Sequence, residues 1–436
     1  MNKRLLVILS IVVLAIAVAG AIIIWTSVRG RAPLPKAPTP AGAPLSGFPV
    51  PPPTTNPPPP APPASPNRDD PPTTIPTNPE TNSTSTSSTH NQTTSGPLIK
   101  LSPTAVSGAV LTPRISSTTP ATLIYIEEST GNLFRVAPDG QSNQRLTNSA
   151  LPGIARSWWG IYKNTVTLLA QYLDNQEAPV TFRGTYKLEG TVPAELLGGP
   201  ISKVIAGGIA ISPSRDRFFS LLDAGAGVIG TVTELASGKV KNVFTSLFKS
   251  WSVSWPAPTI IALIPRATAG VPGTLYFLNT NTGALTRVLG GPTGLTTLVN
   301  QTGARILYNQ ELGDLKLFSP RDGSTRSLTV TTLPEKCVWA SDAVTIYCAV
   351  PNTLPSAETG QAPIQYPDSW WSGEATFNDS FWKINTATGE GKIVYTNGAT
   401  GSGNHLDAIN LILDETGQRL IFTDRWSAIL WSLDLH

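Results

Sequence analysis

The sequence predicts an all-β head: a seven-bladed β-propeller of four-stranded antiparallel blades, carried on an N-terminal transmembrane helix and a disordered Pro/Ser/Thr-rich stalk. Three observations predict it. Short alternating strands recur about every 49 residues after residue 98, close to the spacing of four-stranded blades. No stretch of that region keeps a helical 3.6-residue period. Composition breaks sharply near residue 97: residues 32–97 hold 21 of the 41 prolines, while 98–436 carries ordinary proline and balanced charge. All of the net charge of +3 comes from residues 1–97. A neutral head argues against nucleic acid as a partner, because phosphate binding needs a basic surface.

Residues 1–4 read as a cytoplasmic end. Residues 5–28, LLVILSIVVLAIAVAGAIIIWTSV, are free of charge. At about 1.5 Å rise per residue they span a hydrocarbon core of about 30 Å with some tilt. Basic residues lie on both sides (Lys3, Arg4; Arg29, Arg31, Lys36), so their asymmetry does not set the orientation. Ala17-Val18-Ala19 has the small-x-small form of a cleavage site, but the apolar run continues past it. A signal anchor is the expectation and a cleaved signal peptide the alternative. Residues 29–97 cannot bury enough apolar surface to offset chain entropy and read as an extended linker. The expected location is the cell membrane, single-pass, with the head on the extracytoplasmic side.

The head, residues 98–436, opens on a clear unit at 123–148, LIYIEESTGNLFRVAPDGQSNQRLTN: strand, turn, strand, turn, strand. With AVSGAVLTP before it, six further inner hairpins and six further third strands (GTYKLEG, IGTVTEL, GTLYFLN, GDLKLFS, SFWKIN, AILWSLDL), the count is seven. Six or eight blades are the alternatives. The last unit stops after its third strand. LIKLS at 98–102 resembles the fourth strands, so residues 98–102 are expected to complete the last blade and remove its open edge.

These pieces carry a resemblance. The pattern LFRVAPDG…RLTN looks like the WD40-like repeats of TolB-type and dipeptidyl-peptidase-type propellers. KLSPTAVSGA, LIYIEESTGNLF, RLTNSALP, KCVWASDAVTIYCAVP, YPDSWWSGEATFNDSFWKI and LWSL resemble an uncharacterised membrane-anchored propeller family of Patescibacteria (candidate phyla bacteria). AQYLDNQ at 170–176 departs from that family's Arg-Tyr-Leu-Asp strand. The resemblance implies a propeller at a surface or periplasm-like location and carries no assigned activity.

Cys337 and Cys348 are the only cysteines. A turn at Asp342-Ala343 pairs Ser341 with Val344, and the same register sets 337 opposite 348. A cross-strand disulfide is therefore feasible, with two buried thiols as the alternative. No zinc site is expected, and no cofactor. GAGVIG at 225–230 matches a dinucleotide fingerprint, but TVTEL after it is a strand, so a glycine-rich hairpin is the better reading. Hydrolase signatures are missing, and a Ser-His-Asp triad would have to use His405 beside Asp407.

The most distinctive local feature is an insertion in the sixth unit, from Pro351 to about Asn378. It carries Tyr366, Asp368, Trp370 and Trp371. Aromatics beside a carboxylate suit sugar or peptide stacking; the alternative is a loop that folds back and buries them. Trp158 or Trp159, Trp255 and Trp339 share a position with Ile211, Val299 and Leu413 in other units, and read as packing. The expected function is a binding or scaffold module for a protein or cell-envelope glycan. The alternative is a glycan-active hydrolase or lyase using carboxylates at the propeller mouth.

Overall fold

The computed structural model describes residues 97–113, 121–148, 151–188, 192–201, 203–357, 363–398 and 405–435. The expected membrane span and nearly all of the expected linker lie outside the described residues.

Seven four-stranded antiparallel sheets form the head. Their innermost strands are Val106–Leu111, Ile154–Tyr162, Val204–Ile211, Trp251–Ala257, Thr296–Val299, Cys337–Trp339 and Ala408–Leu413, which begin blades 1 to 7. The first six blades each take four strands in chain order. Blade 7 takes three from the C-terminal end and borrows Leu98–Lys100 as its outer strand, paired Leu98 with Leu433, Ile99 with Ser432 and Lys100 with Trp431. The seven expected blades are present, and of residues 98–102, expected to complete the last blade, Leu98–Lys100 form its outer strand.

Each blade is apolar on both faces because each is sandwiched between neighbours. A separate buried cluster fills every junction. Ile124 and Trp159 belong to the one between blades 1 and 2, Phe219 and Ile261 to that between 3 and 4, and Tyr125 and Ile421 to the closing junction of 7 with 1. Trp159 and Trp255 pack into these junctions, as their shared position with aliphatic residues suggests.

Antiparallel pairing fixes what lies on each end of the ring. Connections between first and second, and third and fourth, strands share one face. Connections between second and third strands, and from each blade to the next, share the other. The insertion joins the second and third strands of blade 6, Thr345–Pro351 and Asp379–Asn385, and so stands on the second face. Pro97, which precedes the outer strand of blade 7, stands on the opposite one, where its carbonyl accepts from Asp434 N at 2.7 Å. On Pro97's face Arg215, in a turn of blade 3, donates to the carbonyl of Leu111 in blade 1, tying nonadjacent blades together. Desolvation lowers its pKa from the ordinary arginine value.

Cys337 and Cys348 face each other in register and are joined, Sγ–Sγ 2.06 Å. GAGVIG forms the turn into the third strand of blade 3, Val228–Glu234, with no helix after it.

Candidate functional site

Four loops of the insertion face converge on the insertion. They are the 3-10 turn Pro334–Lys336 leading into blade 6, the segment before blade 7 containing Asp407, and the connections around Arg266 in blade 4 and Arg425 in blade 7. The insertion itself folds into one helical turn, α1, Asp368–Ser372. Gly373 ends it at φ 88°, a left-handed conformation that only glycine adopts without strain.

Beneath α1 lies a buried charged node. Lys336 Nζ donates to Asp407 Oδ1 at 2.5 Å, to Asp379 Oδ2 at 2.8 Å and to the carbonyl of Ala408 at 3.0 Å. All three charged side chains are buried. A buried ammonium is tolerable only when its protons are used this fully. Asp407 Oδ2 accepts from Trp370 Nε1 at 2.9 Å and from Phe377 N at 3.2 Å, which fastens the insertion to the ring. Burial raises the Asp379 carboxyl to about 6, against the pull of Lys336 and with a smaller push from Asp407.

Adjacent residues of α1 thus take opposite roles. Trp370 is 3% exposed and points into the node, stacked 6.0 Å from Phe377. Tyr366 also stacks with Phe377, at 5.8 Å, and is half-buried. Asp368 accepts from Ala269 N at 2.6 Å, holding the insertion against blade 4. Trp371 is half-exposed. Its Nε1 donates to Glu335 Oε1 at 3.0 Å, and the Arg266 guanidinium lies 5.5 Å from its ring centre. Arg425 lies 4.9 Å from the Trp370 ring and donates to the Trp371 carbonyl at 3.0 Å.

An open groove of about 510 Å³ runs between α1 and the blade 4 loop, lined by Arg266, Pro363, Gln365, Asp368, Ser369, Trp371, Ser372 and Glu374. Beside it Glu335 reaches solvent from a recess in the protein. Desolvation there raises its carboxyl to about 6, although the Trp371 hydrogen bond and the nearby Lys336, Arg425 and Arg156 act the other way. The structure therefore brings Trp371 and Asp368 to one groove, buries Trp370 in the node and places Tyr366 at a neighbouring cavity of about 450 Å³. It adds residues that sequence reasoning missed: Glu335, Lys336 and Asp379 in the node and recess, Arg266 and Arg425 at the rim. A lysine immediately before a strand gives no local sign of burial, and no signal in the sequence singles it out. Asp407, weighed as a triad partner of His405, is committed to Lys336 and Trp370, while His405 is exposed. Among the described residues, no group of three or more metal-ligating side chains comes together.

No protein-family model matches the chain, and no curated protein does. Solved structures similar to it include TolB from Acinetobacter baumannii, at 11% identity over 62% of this chain and 61% of that one, with a TM-score of 0.39. A puromycin hydrolase matches at 13% identity over 72% and 50%, TM-score 0.47. An oligogalacturonate lyase from Vibrio parahaemolyticus matches at 8% over 78% and 98%, TM-score 0.44. The chain spans less than two thirds of the TolB and hydrolase chains. Identities this low attach none of those activities to it.

Proposed function

We propose that the protein is a membrane-tethered, extracytoplasmic binding or scaffold module whose ligand, a protein or a cell-envelope glycan, sits on the insertion of blade 6. The observation that carries this reading is the groove of about 510 Å³ beside α1, to which Trp371 is presented by a helix pinned from beneath. Rigid aromatic anchors with polar neighbours are what recognition surfaces use. The topology is compatible with such a tether: Pro97, where it would join the head, is on the face opposite the groove. The test is capture of envelope proteins or arrayed glycans by the full-length protein and by Trp371→Ala. A specific partner lost at least tenfold in the variant supports the reading; capture that is indifferent to Trp371 removes the groove from it.

A glycan-active enzyme is the second reading, favoured by one observation. Glu335 is solvent-accessible and hydrogen-bonded to Trp371, and its carboxyl, raised to about 6, retains a proton in a minor fraction of molecules at neutral pH, which a general acid can use. Incubation with envelope polysaccharides, read as new reducing ends or unsaturated products, tests it. Turnover in the parent that falls by about two orders of magnitude or more in Glu335→Gln would support it; no turnover on any polysaccharide would end it.

A further inference from the structure

We propose that Arg266 is the anion-reading residue of the groove and that the ligand there is an acidic saccharide, a chain of sugars bearing carboxylates. This rests on the reading of the groove as the ligand site and names the class of ligand.

Arg266 is exposed, and its guanidinium lies over the Trp371 ring. A guanidinium resting on a ring face in this way still has N–H donors available to a further partner. Among the described residues those donors meet no acceptor: the five ion pairs lie elsewhere, and Arg266's only hydrogen bond is from its backbone N to the Ser250 carbonyl, 2.9 Å. The other cations around α1 are engaged. Lys336 is saturated by its carboxylates, and Arg425 is held by the Trp371 carbonyl. Arg266 thus lines the groove, beside the carboxylates of Asp368 and Glu374, with no acceptor for its guanidinium among the described residues, and an arginine fork can bind a ligand carboxylate through two parallel hydrogen bonds.

The rest of the lining favours a sugar over a peptide. None of the lining residues belongs to a strand, so an extended peptide finds no backbone edge to pair with. Only Pro363 and Trp371 are apolar, which leaves no pocket for an anchoring side chain. Acceptors for hydroxyl groups are present instead: Glu374 and the Gln365 amide have no side-chain partner among the described residues, and Asp368 uses one carboxylate oxygen, on Ala269 N. A carboxylated sugar supplies the anion that Arg266 lacks and the hydroxyl donors that these acceptors lack.

Isothermal titration of the full-length protein in detergent, at low salt, with three probes tests this: a hexasaccharide of uronic acid residues, its carboxyl-reduced neutral counterpart, and a glutamate hexapeptide. We expect the uronate to bind about tenfold or more tightly than its neutral counterpart, the scale of a charge-assisted hydrogen-bonded pair. Arg266→Gln should erase that difference, and Arg266→Lys should keep only part of it, because an ammonium lacks the fork. Equal binding of the acidic and neutral sugars, with Trp371→Ala weakening both, would overturn the role of Arg266 and leave the groove as the ligand site. Tighter binding of the peptide than of the uronate would overturn the saccharide. Binding of none of the probes, or binding indifferent to both Arg266 and Trp371, would overturn this proposal, and indifference to Trp371 would take the groove reading with it.

Discussion

Asp379 shows how a single side chain couples the stability of the insertion face to pH. Its carboxyl sits in the node with Lys336 at 2.8 Å and Asp407 across the same ammonium, and burial raises it to about 6. In the unfolded chain an aspartate titrates near 4. Between those values the folded protein holds a proton that the unfolded chain has released, so stability rises as pH falls from about 6 towards about 4. The gain from this group is at most about 3 kcal/mol. Glu335, also raised to about 6, acts in the same direction. The depressed carboxyls of Asp216, Asp223, Asp322 and Asp342 act with the opposite sign, and only below about 4. Thermal unfolding followed from pH 7.5 to 4.5 should therefore show a rising midpoint, and Asp379→Asn should make the rise smaller. A midpoint in the parent that is flat or falling over that interval would contradict the assignment.

At the scale of the element, the inner hairpin of blade 6 is the base on which the insertion stands. Its second strand, Thr345–Pro351, runs directly into the insertion, and Cys337–Cys348 ties that strand to the first. Closing so short a loop removes about 3 kcal/mol of unfolded-chain entropy in the polymer model. Replacing both cysteines by alanine should lower the calorimetric unfolding midpoint by several degrees while leaving the strand content unchanged by circular dichroism. Adding reductant to the parent should give the same shift; a parent that already titrates two thiols would refute the bond. The pairing was legible in the sequence because register in a tight hairpin follows from counting outward from its turn. Burial within the insertion was not legible. Trp370 and Trp371 are neighbours in one helical turn, and the partners that separate them, Asp407 and Glu335, lie some 36 residues away in opposite directions along the chain. No local pattern encodes that choice.

At the scale of the whole molecule, ring closure turns seven similar units into one structure. Charged residues make up only 14% of the chain, and seven blades buried on both faces account for the low value in the head. The last junction depends on three residues at the other end of the domain, Leu98–Lys100. Without them the strand Leu430–Asp434 would be an open edge, available to other chains. A chain starting at residue 97 should melt as the full head does. One starting at residue 103 should melt well below it and form oligomers on size-exclusion chromatography. Equal melting of the two would show that the outer strand is dispensable.

What the sequence by itself determined is what repetition and alternation can carry: the number of blades, their order, the closing strand and the cysteine register. Each follows from backbone pairing, which repeats along the chain and leaves a periodic trace. The tertiary structure decided the surface. It chose Trp371 over Trp370, sealed Lys336 between two aspartates and left the Arg266 guanidinium without an acceptor among the described residues, at the lining of a groove. Those outcomes depend on side chains from blades 4, 6 and 7 meeting on one face, where desolvation and charge pairing act through space and leave no period in the sequence.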